Sequence, residues 1–368
     1  MHDRYERPET PGERCLLFVG AFSKQNSTGI RSFRYHMTSH QLSFLGTYGD
    51  YNSMSCLVTD GDLLIACVES PRDDLLVAFR IHEDGVLEQL NASHIGGCSI
   101  AHLSVDRNNH YIYAASMASA SIHMIRYAHD GSLVPTDRFE FTDPGSFEVG
   151  RSNERQKASR IHYSQVMPDG RHLAVCNLGS DKVYIMEIDQ TEGKLKLLPK
   201  LTVPVAGGEG PRHFVFSPNG KIAYMNTEMG NRIYVFKIGE NGALELLQTI
   251  STLDPDDRAE GKKQTSVSAM TGDGRYLLIG NRGQNNIAVF EVGADGLLRN
   301  HGFYDCFGEE PRGLSLDGGE ETLFCCCNGS GTLAVIEFDK KTGTPGKCLQ
   351  LLEGVPGAAN AVLCGSDN

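Results

Sequence analysis

Glu209-Gly-Pro-Arg-His-Phe-Val-Phe-Ser-Pro-Asn-Gly-Lys-Ile-Ala-Tyr-Met-Asn-Thr-Glu228, continued by Met229-Gly-Asn-Arg-Ile-Tyr-Val-Phe-Lys-Ile238, decides how the chain is read. Two short apolar runs, Phe214–Phe216 and Ile222–Met225, flank Ser217-Pro-Asn-Gly220, and a third, Ile233–Phe236, follows the polar Met229–Arg232. Glu240-Asn-Gly-Ala-Leu244 then turns the chain into a fourth run. β-Branched and aromatic runs separated by Asn-Gly and Pro signals read as successive antiparallel strands. The stretch predicts one four-stranded sheet.

The rest of the chain repeats it. A turn between the first and second strands recurs at Asp60-Gly61, Asp169-Gly170, Asn219-Gly220, Asp273-Gly274 and Asp317-Gly318, with Asp106-Arg107 in the corresponding place. A Gly-x-Leu turn before the fourth strand recurs at Gly85–Leu87, Gly131–Leu133, Gly193–Leu195, Gly242–Leu244 and Gly296–Leu298. Weaker copies lie at Ser39–Leu42 and Lys341–Gly346. Seven units of roughly 45–55 residues match the period of propeller blades. The first unit lacks an inner strand, and Gly357–Cys364 is an inner strand with no unit after it. Pairing the two removes both open edges. The expected fold is all-β: a seven-bladed β-propeller of four-stranded antiparallel blades over 14–365, closed by its terminal strands. Residues 1–13 are read as a poorly ordered N-terminus. Two polar insertions, 143–157 and 253–263, have the length of binding loops or lids.

Composition narrows the function. At 368 residues and 40.2 kDa, with mean hydropathy −0.27, the chain has ample core for a large closed β-fold. The 41 glycines suit many tight turns. A net charge of −12 argues against a nucleic-acid or anionic-membrane surface. No apolar run has the ~18 residues that span a bilayer, and no signal-type apolar stretch opens the chain. The eleven cysteines include no CxxC pair and no zinc-type spacing. Cys325-Cys326-Cys327 alternate in direction on a strand, which is poor disulfide geometry. The reading is of reduced thiols in a cytoplasmic protein, a monomer or weak homodimer.

Aligning the units on their turns places unusual residues at equivalent positions. The start of the inner strand holds His162, Arg212, Ser266 and Arg312 in units four to seven, and the position after the second strand holds Leu178, Glu228, Arg282 and Asn328. Both positions open onto one end of the axial channel in a propeller, so His162, Arg212, Glu228, Arg282 and Arg312 should converge. A His and a Glu offer acid/base function near neutrality. Recessed arginines bind an anion and stabilise an oxyanion. Strand alternation turns His213 to the other side from Arg212, which favours a structural role. It is kept with Arg312 as a candidate substrate contact, as is a lysine of the insertions for a phosphate.

Gly210-Pro-Arg-His-Phe-Val-Phe-Ser-Pro-Asn-Gly220 with Glu228, Asn281-Arg282, and Pro311-Arg-Gly-Leu-Ser-Leu-Asp317 resembles the seven-bladed lactonase family over nearly the whole chain. That family includes the propeller-type 6-phosphogluconolactonases of bacteria and the fungal carboxy-muconate lactonizing enzyme. The resemblance implies a site without metal or cofactor, built from His162, Arg212, Arg282 and Glu228, and a small anionic sugar lactone as substrate. Thr227 stands where the family usually has Asn, and Met167 where it has Ser. Two other readings compete: a cycloisomerase closing a muconate-type polycarboxylate to a lactone, and a non-catalytic interaction scaffold. Against the scaffold, the chain has no WD-type signature and no Trp, a favoured interface anchor.

Overall fold

The computed structural model describes residues 15–22, 28–70, 72–146, 154–258 and 260–364. The N-terminal stretch expected to be poorly ordered lies outside the described residues. Seven antiparallel sheets follow one another as the blades of a propeller. Blade 5 takes its strands from the stretch quoted above: Pro211–Phe216, Ile222–Thr227, Arg232–Ile238 and Leu244–Ser251. Its first turn is closed by the Gly220 N–H donating to the Ser217 carbonyl at 2.8 Å. Gly220 has φ +68°, a left-handed conformation that costs glycine little. In blade 7 the equivalent left-handed residue is Glu320 (φ +55°), whose N–H bonds the Asp317 carbonyl. The turn there falls two residues later than Asp317-Gly318 suggested.

The last strand, Ala358–Cys364, pairs antiparallel with Cys15–Ala21 and becomes the innermost strand of blade 1. Blade 4 departs from four strands by one addition, Val203–Pro204, paired to Lys182–Asp189. Seven apolar clusters among the described residues fill the spaces between consecutive blades. Alternation along one strand feeds two of them: Leu17 and Val19 face blade 7, while Leu16 and Phe18 face blade 2. This is why second strands such as Leu63–Val68 and Thr322–Cys327 are buried throughout. All eleven cysteines are free. Cys325 and Cys327 face blade 6, with their sulfurs 3.7 Å apart, and Cys326 faces blade 1. No helix among the described residues is long and apolar enough to cross a membrane.

One irregularity recurs at the start of the inner strands. In blades 3, 4, 5 and 7 a β-bulge makes Ala101, His162, Arg212 and Arg312 the extra residue opposite the neighbouring strand. A bulge re-aims side chains and suspends strict alternation. It therefore decides which residues face the mouth of the ring.

Candidate active site

The bulges surround a cavity of about 430 Å³. His162, Arg212 and Arg312 line it, and so do the residues that follow them, Tyr163, His213 and Gly313. His213 was expected on the opposite side of its strand. The bulge at Arg212 corrects that: two consecutive residues stay on the cavity side. His213 packs on Tyr163 with ring centroids 4.6 Å apart, and lies 5.8 Å from His162 by the same measure.

Behind one wall lies Glu228, fully buried. Its Oε2 takes a hydrogen bond from Arg212 Nε at 3.0 Å and an ion pair from Arg282 Nη2 at 3.3 Å. Its Oε1 takes Arg155 Nη1 and a bond from Gln264 Nε2 at 3.2 Å. Burial works to raise this carboxyl, but Arg282, Arg155, Arg212 and Arg312 outweigh it and hold the group at about 2. Arg282 also donates to the Thr265 carbonyl at 3.2 Å, and neither Arg282 nor Glu228 is among the cavity-lining residues. The five side chains come together, with Glu228 and Arg282 set one layer behind the cavity lining.

His162 Nε2 faces Glu228 Oε2 at 3.8 Å, and Nδ1 is buried with no partner among the described residues. Burial pushes the imidazole well below its ordinary range, followed by Arg212, Arg155, Arg312 and His102, so it is neutral at physiological pH. Arg212 is tied at Nε to Glu228 and at Nη1 to the Ser266 carbonyl, which fixes the guanidinium plane beside the cavity. Burial, with its cationic neighbours, lowers it to about 9. Arg312 stacks over Phe22, 4.6 Å from the ring centre, and burial lowers it to about 10.

The opposite wall comes from blade 2. Glu69 follows the second strand there as Glu228 does in blade 5. Its N–H bonds the Ser53 carbonyl at 3.2 Å, as that of Glu228 bonds Gly210 at 2.8 Å. The Ser55 hydroxyl donates to Glu69 Oε1 at 2.5 Å, and both residues line the cavity. Burial raises Glu69 to about 7, against Ser55 and Arg312, which lower it.

Sequence reasoning missed Glu69, Ser55 and Arg155. Extending the alignment of units to blade 2 would have placed Glu69 in the position of Glu228, but Ser53 rather than Ser55 in that of Arg212. Arg155 lies in the first insertion, on the short 3-10 turn Glu154–Gln156. The neighbouring Gln156 anchors that turn, donating to the Leu178 carbonyl at 3.1 Å and to Asp181 Oδ1 at 2.8 Å. Residues 147–153 of the same insertion lie outside the described residues. Among the described residues no lysine lines the cavity; the insertion contributes Arg155 instead. The described residues of the 253–263 segment contribute none of the lining either, and Lys263 pairs with Asp257 at 3.3 Å. Thr227, the departure from the usual Asn, donates to Glu209 Oε2 at 2.8 Å. A His/Asp grouping, Asp60 with His110 and His129, sits in turns at the other end of the blades, where Tyr127 donates to Asp60 at 2.7 Å.

The sequence matches the family profile described as Lactonase, 7-bladed beta-propeller, over residues 16–358. The chain belongs to this family. A 6-phosphogluconolactonase from Bacillus subtilis is 29% identical over 336 residues, covering 90% of this chain and 93% of the relative. A 6-phosphogluconolactonase from Formosa agariphila is 28% identical over 341 residues, covering 89% and 93%. Among solved structures, a periplasmic gluconolactonase from Pseudomonas aeruginosa superposes with a TM-score of 0.86 at 25% identity, over 95% of this chain and 99% of that one. Within the propeller lactonase family, this chain's cavity is lined by three histidines, three arginines and, on the opposite wall, a protonatable carboxyl.

Proposed function

We propose that the protein hydrolyses a sugar lactone, with 6-phosphoglucono-δ-lactone as the leading substrate. The observation that carries this reading is the cavity: His162 lies buried and neutral among Arg155, Arg212 and Arg312, which line the same space. A neutral imidazole can accept a proton from water as it attacks the lactone carbonyl. Glu228, held as an anion by three guanidinium groups and closed off from the cavity, orients and balances charge; the base is His162. Arg212, its plane fixed by two bonds, offers its remaining N–H donors to the tetrahedral oxyanion. Arg155 and Arg312 supply positive charge for an anionic substituent such as a phosphate. An anionic substrate would also offset the arginines that depress His162, so binding itself strengthens the base.

The test is hydrolysis of freshly generated 6-phosphoglucono-δ-lactone, coupled to oxidation of the 6-phosphogluconate formed. Wild type should outpace spontaneous ring opening, and His162→Ala should lose that advantage. No acceleration by wild type would remove this substrate. Three cavity arginines also suit a polycarboxylate, so a muconate assay run beside it distinguishes ring closure from ring opening.

A further inference from the structure

We propose that Glu69 is the proton donor to the ring oxygen that leaves when the lactone opens. The assignment rests on the lactonase reading, and it addresses a gap that reading leaves. Collapse of the tetrahedral intermediate expels an alkoxide, a poor leaving group unless it is protonated, and arginines supply charge rather than a proton.

Three observations place Glu69 in this role. It lines the cavity, whereas Glu228 at the equivalent position of blade 5 does not. Its bonded partner, Ser55, is a neutral hydroxyl that engages Oε1, and among the described residues no cation forms an ion pair with the carboxyl. It also comes from a different wall than the base: Glu69 stands on blade 2 and His162 on blade 4, with blade 3 between them. A ring bound among them meets a base and an acid from two sides.

The charged and titratable groups around Glu69 come from several elements. Arg312 of blade 7 draws it down, and Asp74, on the loop after Glu69, pushes it up. Cys56 and Cys67 lie in the same field, and burial keeps both as neutral thiols. Burial dominates, which leaves the carboxyl titrating near neutrality.

The step balances. The water oxygen bonds the carbonyl carbon while one of its protons passes to His162. The carbon–ring-oxygen bond then breaks, its electron pair stays on the ring oxygen, and the Glu69 proton joins it. The new carboxylic acid returns a proton to Glu69, and imidazolium releases the other to solvent. The net reaction is lactone and water to hydroxy-carboxylate and one proton.

The experiment is the pH dependence of kcat and KM on 6-phosphoglucono-δ-lactone for wild type, Glu69→Gln and Ser55→Ala, with cooperative unfolding as the check on folding. Wild-type kcat should fall on the alkaline side as Glu69 loses its proton. Glu69→Gln should lower kcat by about 10²-fold, leave KM nearly unchanged and abolish that limb. Ser55→Ala should keep most turnover and move the limb to higher pH, because the hydroxyl that favours the carboxylate is gone. Glu69→Gln with wild-type kcat and an intact limb overturns the role and leaves the lactonase reading standing. A rise in KM alone also overturns it, since that marks a substrate contact. If Glu69→Gln does not fold, an unmoved limb in Ser55→Ala overturns it equally. A wild type that opens no lactone removes the reading and the role together.

Discussion

Glu69 in blade 2 and Glu228 in blade 5 each follow the second strand of their blade. Each is bonded by a side chain from the start of its own blade, Ser55 just before the first strand in one and Arg212 at the bulge of the first strand in the other. The repeat therefore supplies the same place twice, and the partner decides what the carboxyl becomes there. Burial pushes both groups up. Four arginines reverse the push at Glu228 and hold it near 2, whereas a hydroxyl and Arg312 leave Glu69 near 7. Position in the ring fixes where a charged group can act, and the side chains around it fix its protonation state.

The largest expected effect follows from breaking the blade 5 arrangement. Glu228→Ala would leave Arg155, Arg212 and Arg282 with no buried counter-charge. Removing one partner of a buried ion pair typically costs about 3–5 kcal/mol, so urea unfolding should show a loss of that order together with lost turnover. Glu69→Gln, at the equivalent place, strands no buried charge and should show no such loss. Equal losses at the two sites would end the distinction between a structural and a reactive carboxyl. Next in size is His162→Ala, which should lower kcat by about 10²–10⁴-fold with little change in unfolding midpoint. Retained turnover would return the base to Glu228.

Much of this was legible in the sequence. Turn chemistry and strand length recur in every unit, so the blade count and the closing strand Ala358–Cys364 followed from pattern alone. His162, Arg212 and Arg312 were found because repeats put equivalent residues at equivalent places. The errors have local physical causes. His213 was misdirected because a bulge cannot be read from alternation; it needs the pairing of Pro211 with Thr227 and His213 with Asn226. Arg282 and Glu228 lie behind the cavity lining, a depth in the ring that sequence does not give. Arg155 was hidden because a loop obeys no repeat, and Glu69 because blade 2 carries Ser where blade 5 carries Arg.

Two smaller effects sharpen the contrast. Arg312→Ala removes a cation that lines the cavity and favours the Glu69 carboxylate. KM for the phosphorylated lactone should rise about tenfold, in keeping with one charge-assisted contact, and the alkaline limb of kcat should move to higher pH. A limb that moves to lower pH would mean that Arg312 does not act on Glu69.

The last contrast is in the pH dependence of stability, and it has opposite signs at the two carboxyls. Glu228 has a folded value near 2 against an ordinary 4.5, so its stabilisation is complete above 4.5 and is lost as pH falls toward 2. Glu69 has a folded value near 7 against the same 4.5, so the folded protein holds a proton there that the unfolded chain has released. Its contribution is full below 4.5 and is lost as pH rises through 7. Glu69→Gln should therefore flatten the decline of unfolding free energy between those two pH values and leave the acid side unchanged, as read by urea titrations at stepped pH. Glu228→Gln should do the reverse, weakening the protein throughout and removing part of its acid sensitivity. A decline that persists in Glu69→Gln would place the neutral-range titration on another group, and the two carboxyls would then differ in burial alone.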